Sequence, residues 1–135
     1  MTSPARPRVL IVDDDRANLR VFLRVFHHLF DVGTAESGEE ALSLLGRDAY
    51  DLVLVDYWMP GMNGLSLLRQ IQEAHPAPKR LLLTAHGDVP ELEAAVASGL
   101  AERLVVKPWD RAEIERIVAE LARAEAPKPA PAPGR

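Results

Sequence analysis

A doubly wound α/β domain, in which five parallel strands alternate with five helices, is the fold class this sequence predicts. Three observations point to it. Short apolar runs rich in β-branched residues alternate with longer segments whose apolar residues recur at three and four. The run Leu52-Val53-Leu54-Val55 is apolar on both faces, as a central parallel strand covered by helices should be. The chain has 135 residues, 47% apolar and 27% charged, which is material for one core and leaves no room for a second of ordinary size.

The elements follow in order. Val9-Leu10-Ile11-Val12 is the first strand, and Leu19, Phe22, Leu23 and Phe26 then fall on one face of a helix that Asp15 can cap. Val32 to Ala35 reads as a short second strand, followed by Ser37 and Glu40 as an S-x-x-E capping box ahead of Ala41, Leu42 and Leu45. Leu52 to Val55 is the third strand, and its helix starts near Gly64 and carries Leu65, Leu68 and Ile71. Leu81 to Leu83 is the fourth, with a helix that begins after Val89-Pro90 and ends at Gly99. Leu104 to Val106 is the fifth, and Asp110 and Glu113 open a last helix bearing Ile114, Ile117, Val118 and Leu121. Right-handed crossovers between parallel strands then give helices on both faces of one sheet. Residues 1–7, with Pro4 and Pro7, read as a flexible lead-in, 8–124 as the folded domain, and 125–135 as a Pro/Ala-rich tail or linker.

Composition excludes several classes of function. Sixteen Lys+Arg against twenty Asp+Glu give a net charge of -4, and the basic residues do not cluster, so no nucleic-acid surface is expected. The absence of cysteine rules out disulfides, thiolate metal sites and thiol nucleophiles. No stretch approaches a membrane span and MTSPARPR has no apolar h-region, so the expectation is a cytoplasmic protein without a membrane contact.

In open parallel sheets the ligand site lies at the carboxyl ends of the strands. Here those ends are polar: Asp13-Asp14-Asp15 after the first strand, Asp56 after the third, Thr84 after the fourth and Lys107 after the fifth. Three carboxylates brought together repel one another, and a hard cation such as Mg²⁺ relieves that with oxygen ligands. Beside such a cation a carboxylate can act as nucleophile toward a phosphoryl group, and Asp56, alone on the central strand, is best placed. Asp15 suits a helix cap better than a metal role. His27 and His28, adjacent on a helix, should point apart and do not suggest a metal pair. Met59 and Met62 read as loop packing in MPGMNG, a turn shaped by Pro60, Gly61 and Gly64.

The segments IVDDD, LVLVDYWMPGMNG, LLLTA and LVVKPW, in this order and spacing, resemble the response-regulator receiver domain of two-component signalling, over residues 8 to 123. The resemblance implies a flavodoxin-like (βα)5 sandwich with strand order 2-1-3-4-5. It implies Mg²⁺ held by Asp13, Asp14, Asp56 and the backbone carbonyl of Trp58, with Asp56 as phosphoryl acceptor. Thr84 becomes the switch hydroxyl and Lys107 its partner at the phosphoryl group, with a cis Lys107-Pro108 bond. Trp58, Met59, Pro60, His86, Leu104 and Pro108 flank the site. The implied partners are a histidine kinase or phosphotransfer protein as donor, and an effector or second copy on the face of the fourth helix, fifth strand and fifth helix. Such a domain is a switch and not an enzyme, with only self-phosphorylation from a donor and self-dephosphorylation expected. One departure bears on the switch: Leu104 stands where the family often carries Tyr or Phe. Two other readings are a haloacid-dehalogenase-like phosphatase, from Asp13-x-Asp15, which Ala17 fits poorly, and a pseudo-receiver that binds partners without phosphorylation.

Overall fold

The computed structural model describes residues 6–59, 61–85 and 89–125. In chain order the elements are β1 (Arg8–Val12), α1 (Arg16–Phe26), β2 (Asp31–Ala35), α2 (Gly38–Arg47), β3 (Leu52–Asp56), β4 (Trp58–Met59), β5 (Met62–Asn63), α3 (Gly64–Ala74), β6 (Lys79–Thr84), α4 (Pro90–Ala97), β7 (Arg103–Val106) and α5 (Arg111–Glu125). Five of the strands form one parallel sheet in the order β2-β1-β3-β6-β7. This is the expected order 2-1-3-4-5, because β4 and β5 are a separate antiparallel ladder of two residues each within the loop read as a turn.

The sheet is covered on both sides because its strands alternate side chains between two apolar faces. Leu10, Val12, Val53, Val55 and Leu82 meet Ala41 and Leu45 of α2, Leu68 and Ile71 of α3, and Leu92 and Ala95 of α4. Val9, Ile11, Leu52, Leu54, Leu81, Leu83 and Val105 meet Phe22 and Phe26 of α1 and Ile114 and Val118 of α5. Every residue of β3 is buried, which fixes it as the central strand.

Local chemistry sets the helix ends. Asp15 caps α1, its Oδ1 accepting from the Ala17 amide at 2.9 Å. Ser37 Oγ accepts from the Glu40 amide at 3.1 Å, but the Glu40 carboxylate returns to the Glu36 amide at 2.8 Å, one residue short of the reciprocal bond a capping box makes. Asn63 Oδ1 caps α3 by accepting from the Leu65 amide at 2.7 Å. Two expectations on α1 are corrected. Leu23 is 40% exposed, since it lies at the edge of the stripe centred on Leu19, Phe22 and Phe26. The helix ends at Phe26, so His27 and His28 sit in a turn where their exposed rings approach edge-on, with centroids 5.4 Å apart, and do not diverge.

Arg6 and Pro7, within the segment read as a lead-in, are bonded to the fold: Arg6 donates to His27 O and to Asp31 Oδ1, and the Asp31 amide donates to Pro7 O. The rest of that lead-in and the tail beyond Glu125 lie outside the described residues. Among the described residues no helix is long and apolar enough to cross a membrane.

Candidate functional site

Parallel pairing in the order β1-β3-β6-β7 lines up four strand ends, and the polar residues at those ends converge. Asp13 follows β1, Asp56 closes β3, Thr84 closes β6 and Lys107 follows β7. The Lys107 amide donates to Thr84 O at 2.7 Å and the Tyr57 amide to Leu83 O at 2.8 Å, so neighbouring ends are tied by backbone bonds before any side chain is considered.

Asp13 is buried, and both carboxylate oxygens are engaged: Oδ1 accepts from the Asp15 amide at 3.0 Å and Oδ2 from Asn18 Nδ2 at 3.1 Å. Asp56 is buried, with Lys107 Nζ donating to its Oδ1 at 3.2 Å. The same ammonium stands 4.0 Å from Asp13 Oδ2. Asp14 is exposed, yet one oxygen from each of Asp13, Asp14 and Asp56 lies within 4.8 Å of the others. Three carboxylates therefore face one half-buried ammonium.

Electrostatics follow from that imbalance. Burial pushes the Asp56 carboxyl above its ordinary range; Lys107 pulls it down, Asp13 pushes it up, and bonds from Lys107 and the Trp58 amide again favour the anion. Burial prevails, so the site disfavours a bare negative charge on Asp56. Three hard oxygen donors with excess negative charge are the donor set that an ion such as Mg²⁺ takes, and the residues present fit it.

The backbone here leaves no slack. A Cβ at Gly64 would stand 2.7 Å from Asp56 O and 2.7 Å from Tyr57 Cα, so only glycine lets α3 start this close to the end of β3. Gly61, at φ +85°, takes the left-handed turn between β4 and β5. Trp58, next to Tyr57 on that ladder, is 75% exposed, whereas Met59 is buried in the α4-side core, the packing role expected of it. Thr84 is buried. Leu104 is half-buried against the same α4-side core, and the Lys107-Pro108 bond is cis with Pro108 exposed. Pro60 and His86 lie outside the described residues.

Sequence reading missed several partners. Asn18, one helical turn into α1, orients Asp13; its signal was an amide side chain five residues after the aspartate. Tyr57 donates its hydroxyl to Glu91 on α4, which raises the phenol above its usual range. Trp109 packs edge-on against Phe22, with centroids 5.6 Å apart, and lies 5.5 Å from Phe26. Between α1 and the start of α5 the Phe22 and Trp109 rings border a cleft of about 590 Å³ that reaches Asp13 and Lys107.

The response regulator receiver domain family matches residues 9–119. The chain belongs to that family. Among its relatives, the transcriptional regulatory protein GlrR of Escherichia coli K12 is 37% identical over 120 residues, which is 88% of this chain and 27% of that protein. The chain thus spans about a quarter of the length of that curated relative. Among solved structures, an adenylate cyclase chain from Rhodopirellula baltica superposes with a TM-score of 0.83 at 30% identity, covering 89% of this receiver domain and 90% of that chain. The receiver domain of a sensor histidine kinase from Pseudomonas aeruginosa PAO1, described with magnesium coordinated in its active-site cleft, superposes at 0.77 with 26% identity, covering 88% and 99%. The receiver fold and its place in two-component signalling are therefore those expected from the sequence.

Proposed function

We propose that this receiver domain is a phosphorylation-dependent signalling switch in which Asp56 accepts a phosphoryl group from a histidine kinase or phosphotransfer protein. The observation that carries this reading is the placement of Asp56: buried on the central strand, 3.2 Å from Lys107 Nζ, with the Asp13 and Asp14 carboxylates beside it. Asp13, Asp14, Asp56 and the Trp58 backbone carbonyl would hold Mg²⁺, which when bound supplies positive charge toward the phosphoryl oxygens. A carboxylate oxygen of Asp56 forms the new bond to phosphorus as the donor's bond to phosphorus breaks. Lys107 meets the charge on the phosphoryl oxygens, and the Thr84 hydroxyl follows one of them. Asn18 and the Asp15 amide keep Asp13 from rotating away.

The cleft beside Trp109 and Phe22 gives a donor an apolar landing next to the acceptor. On the other side, Val96 of α4 and Val106 of β7 are exposed apolar residues on the α4, β7 and α5 face, which supports an effector or second copy docking there. The domain acts on itself in this scheme and turns over no substrate.

Acetyl phosphate with Mg²⁺ should add one phosphoryl group to the intact chain by mass spectrometry. Asp56→Asn should add none; label retained in that variant would move the acceptor elsewhere.

A further inference from the structure

The two ends of α4 are held by very different means. At the C-terminal end, the Arg80 guanidinium, buried under the sheet edge, donates to Leu100 O at 2.8 Å and to Gly99 O at 3.3 Å. Gly99 there takes φ +86°, and the Ala101 amide closes back on Ala95 O at 3.2 Å. A buried, charge-assisted fork on two carbonyls fixes that end.

Among the described residues, the N-terminal end has little of this. Its N-cap is Val89, which offers no side-chain cap, and Pro90 follows without an amide. Leu92 and Ala95 are the buried residues of the eight-residue helix, so its grip on the sheet is small. The side-chain bond described at this end is from the Tyr57 hydroxyl to Glu91. Tyr57 is the residue directly after Asp56. Its amide is bound to Leu83 O and its carbonyl to the Gly64 amide, so its backbone moves only with the acceptor strand and the start of α3. Its ring packs on the same α4-side core as Val89 and Leu104.

We propose that the Tyr57–Glu91 hydrogen bond is a latch that sets the resting position of α4, and that α4 swings about its Arg80-bound end when the latch opens. The proposal deepens the switch reading above and rests on it for the event that opens the latch. The latch itself is a property of the unphosphorylated chain and is tested there. It gives this receiver a link from the acceptor strand to α4 that does not need an aromatic residue at position 104.

Residue-resolved amide exchange on the full chain, first without metal, tests it. Tyr57→Phe keeps the ring and removes the hydroxyl. One hydrogen bond lost should speed exchange at Leu92, Glu93 and Ala94 about two- to tenfold and leave Ser98, Gly99 and Ala101 unchanged. Tyr57→Phe also loses a contact with the Asn63 side chain, so Glu91→Ala is the second variant and should give the same pattern. Glu91→Gln retains an acceptor oxygen and should stay near the parent chain. The double variant Tyr57→Phe/Glu91→Ala should exceed neither single one, because both remove the same bond. With beryllofluoride and Mg²⁺, the parent chain should move toward the variants at the same three amides. Unchanged exchange at those amides in either single variant overturns the latch. An equal rise at both ends of α4 overturns the pivot. Phosphorylation of Asp56, read separately by intact mass, reports on the switch reading: its absence would sink that reading, while the metal-free exchange pattern still decides the latch.

Discussion

Replacing Asp56 with asparagine should stabilise the metal-free protein, because the side chain keeps its shape and loses a charge that the site disfavours. The buried Asp13 carboxylate, with an oxygen within 4.8 Å, repels the Asp56 anion by about 3 kcal/mol at an effective dielectric of about 20, and the exposed Asp14, screened by water, adds less. Lys107 at 3.2 Å attracts it by about 5 kcal/mol on the same scale, and burial of the charge adds to the repulsive side. The balance favours the neutral residue by about 1–2 kcal/mol, which for a domain of this size is a rise in Tm of about 3–8 °C. The pH dependence has a definite sign. A carboxyl raised in the folded state contributes stability that is fully present below its unfolded pKa and lost as pH rises through the folded one. The parent chain therefore loses stability across that window while Asp56→Asn does not, and the gap between them widens from acid toward pH 7.5. Calorimetric melts in EDTA across that range measure both quantities, and added Mg²⁺ should raise the parent's Tm more than the variant's. A variant that melts lower at pH 7.5 without metal, or a gap that is flat with pH, would refute the electrostatic account of the site.

Three further outcomes follow from the same geometry. Lys107→Met removes the one cation facing Asp13 and Asp56 among the described residues and should lower metal-free stability at pH 7.5 by about 2 kcal/mol, with much of the loss recovered on acidification or by adding Asp56→Asn; thermal melts of the single and double variants check this. Gly64→Ala sets a methyl 2.7 Å from the backbone at Asp56 and Tyr57, neither of which can yield, and should cost about 1–3 kcal/mol in urea unfolding while slowing label uptake from acetyl phosphate. Arg80→Met fills the space but strands the Gly99 and Leu100 carbonyls, so it should cost about 2–4 kcal/mol by the same assay and loosen the C-terminal end of α4 in amide exchange.

The sheet was legible because burial on both faces forces unbroken apolar runs, and Leu52 to Val55 is the plainest of them. The polar edge of the sheet was legible for a related reason: each polar residue of interest is the first after such a run, so strand order alone brings Asp13, Asp56, Thr84 and Lys107 together. What escaped notice depends on geometry that no local pattern encodes. Arg80 sits inside an apolar strand and reads as an intrusion until the α4–β7 loop folds over it with two bare carbonyls. Tyr57 and Glu91 are ordinary surface types whose pairing arises only when β3 and α4 are placed side by side. The β4–β5 ladder is two residues long on each side, too short for alternation to register, and the Leu23 exposure turns on the precise centre of a stripe rather than on its period.

The energetics of the proposed switch are tight, and the structure says where the margin lies. Moving a two-state surface from 1:99 to 99:1 needs about 5.5 kcal/mol of differential interaction. New charge-assisted bonds from Thr84 and Lys107 to phosphoryl oxygens could supply about 3–6 kcal/mol together. Lys107 already spends one such bond on Asp56 at 3.2 Å in the resting state, so its net gain on phosphorylation is smaller than that of a newly recruited group. Leu104 has no ring to bury, which removes the packing gain that an aromatic residue there would add. A chain with so narrow a margin switches only if the element that must move is weakly held at the start. The α4 helix meets that condition: eight residues, two of them buried, no side-chain N-cap bond, and, among the described side chains, an exposed hydrogen bond from Tyr57 to Glu91 at the end nearest Asp56. In the proposed switch the Arg80-held end confines the rearrangement to the first turns of α4 and the adjoining end of β7, where Val106 stands exposed.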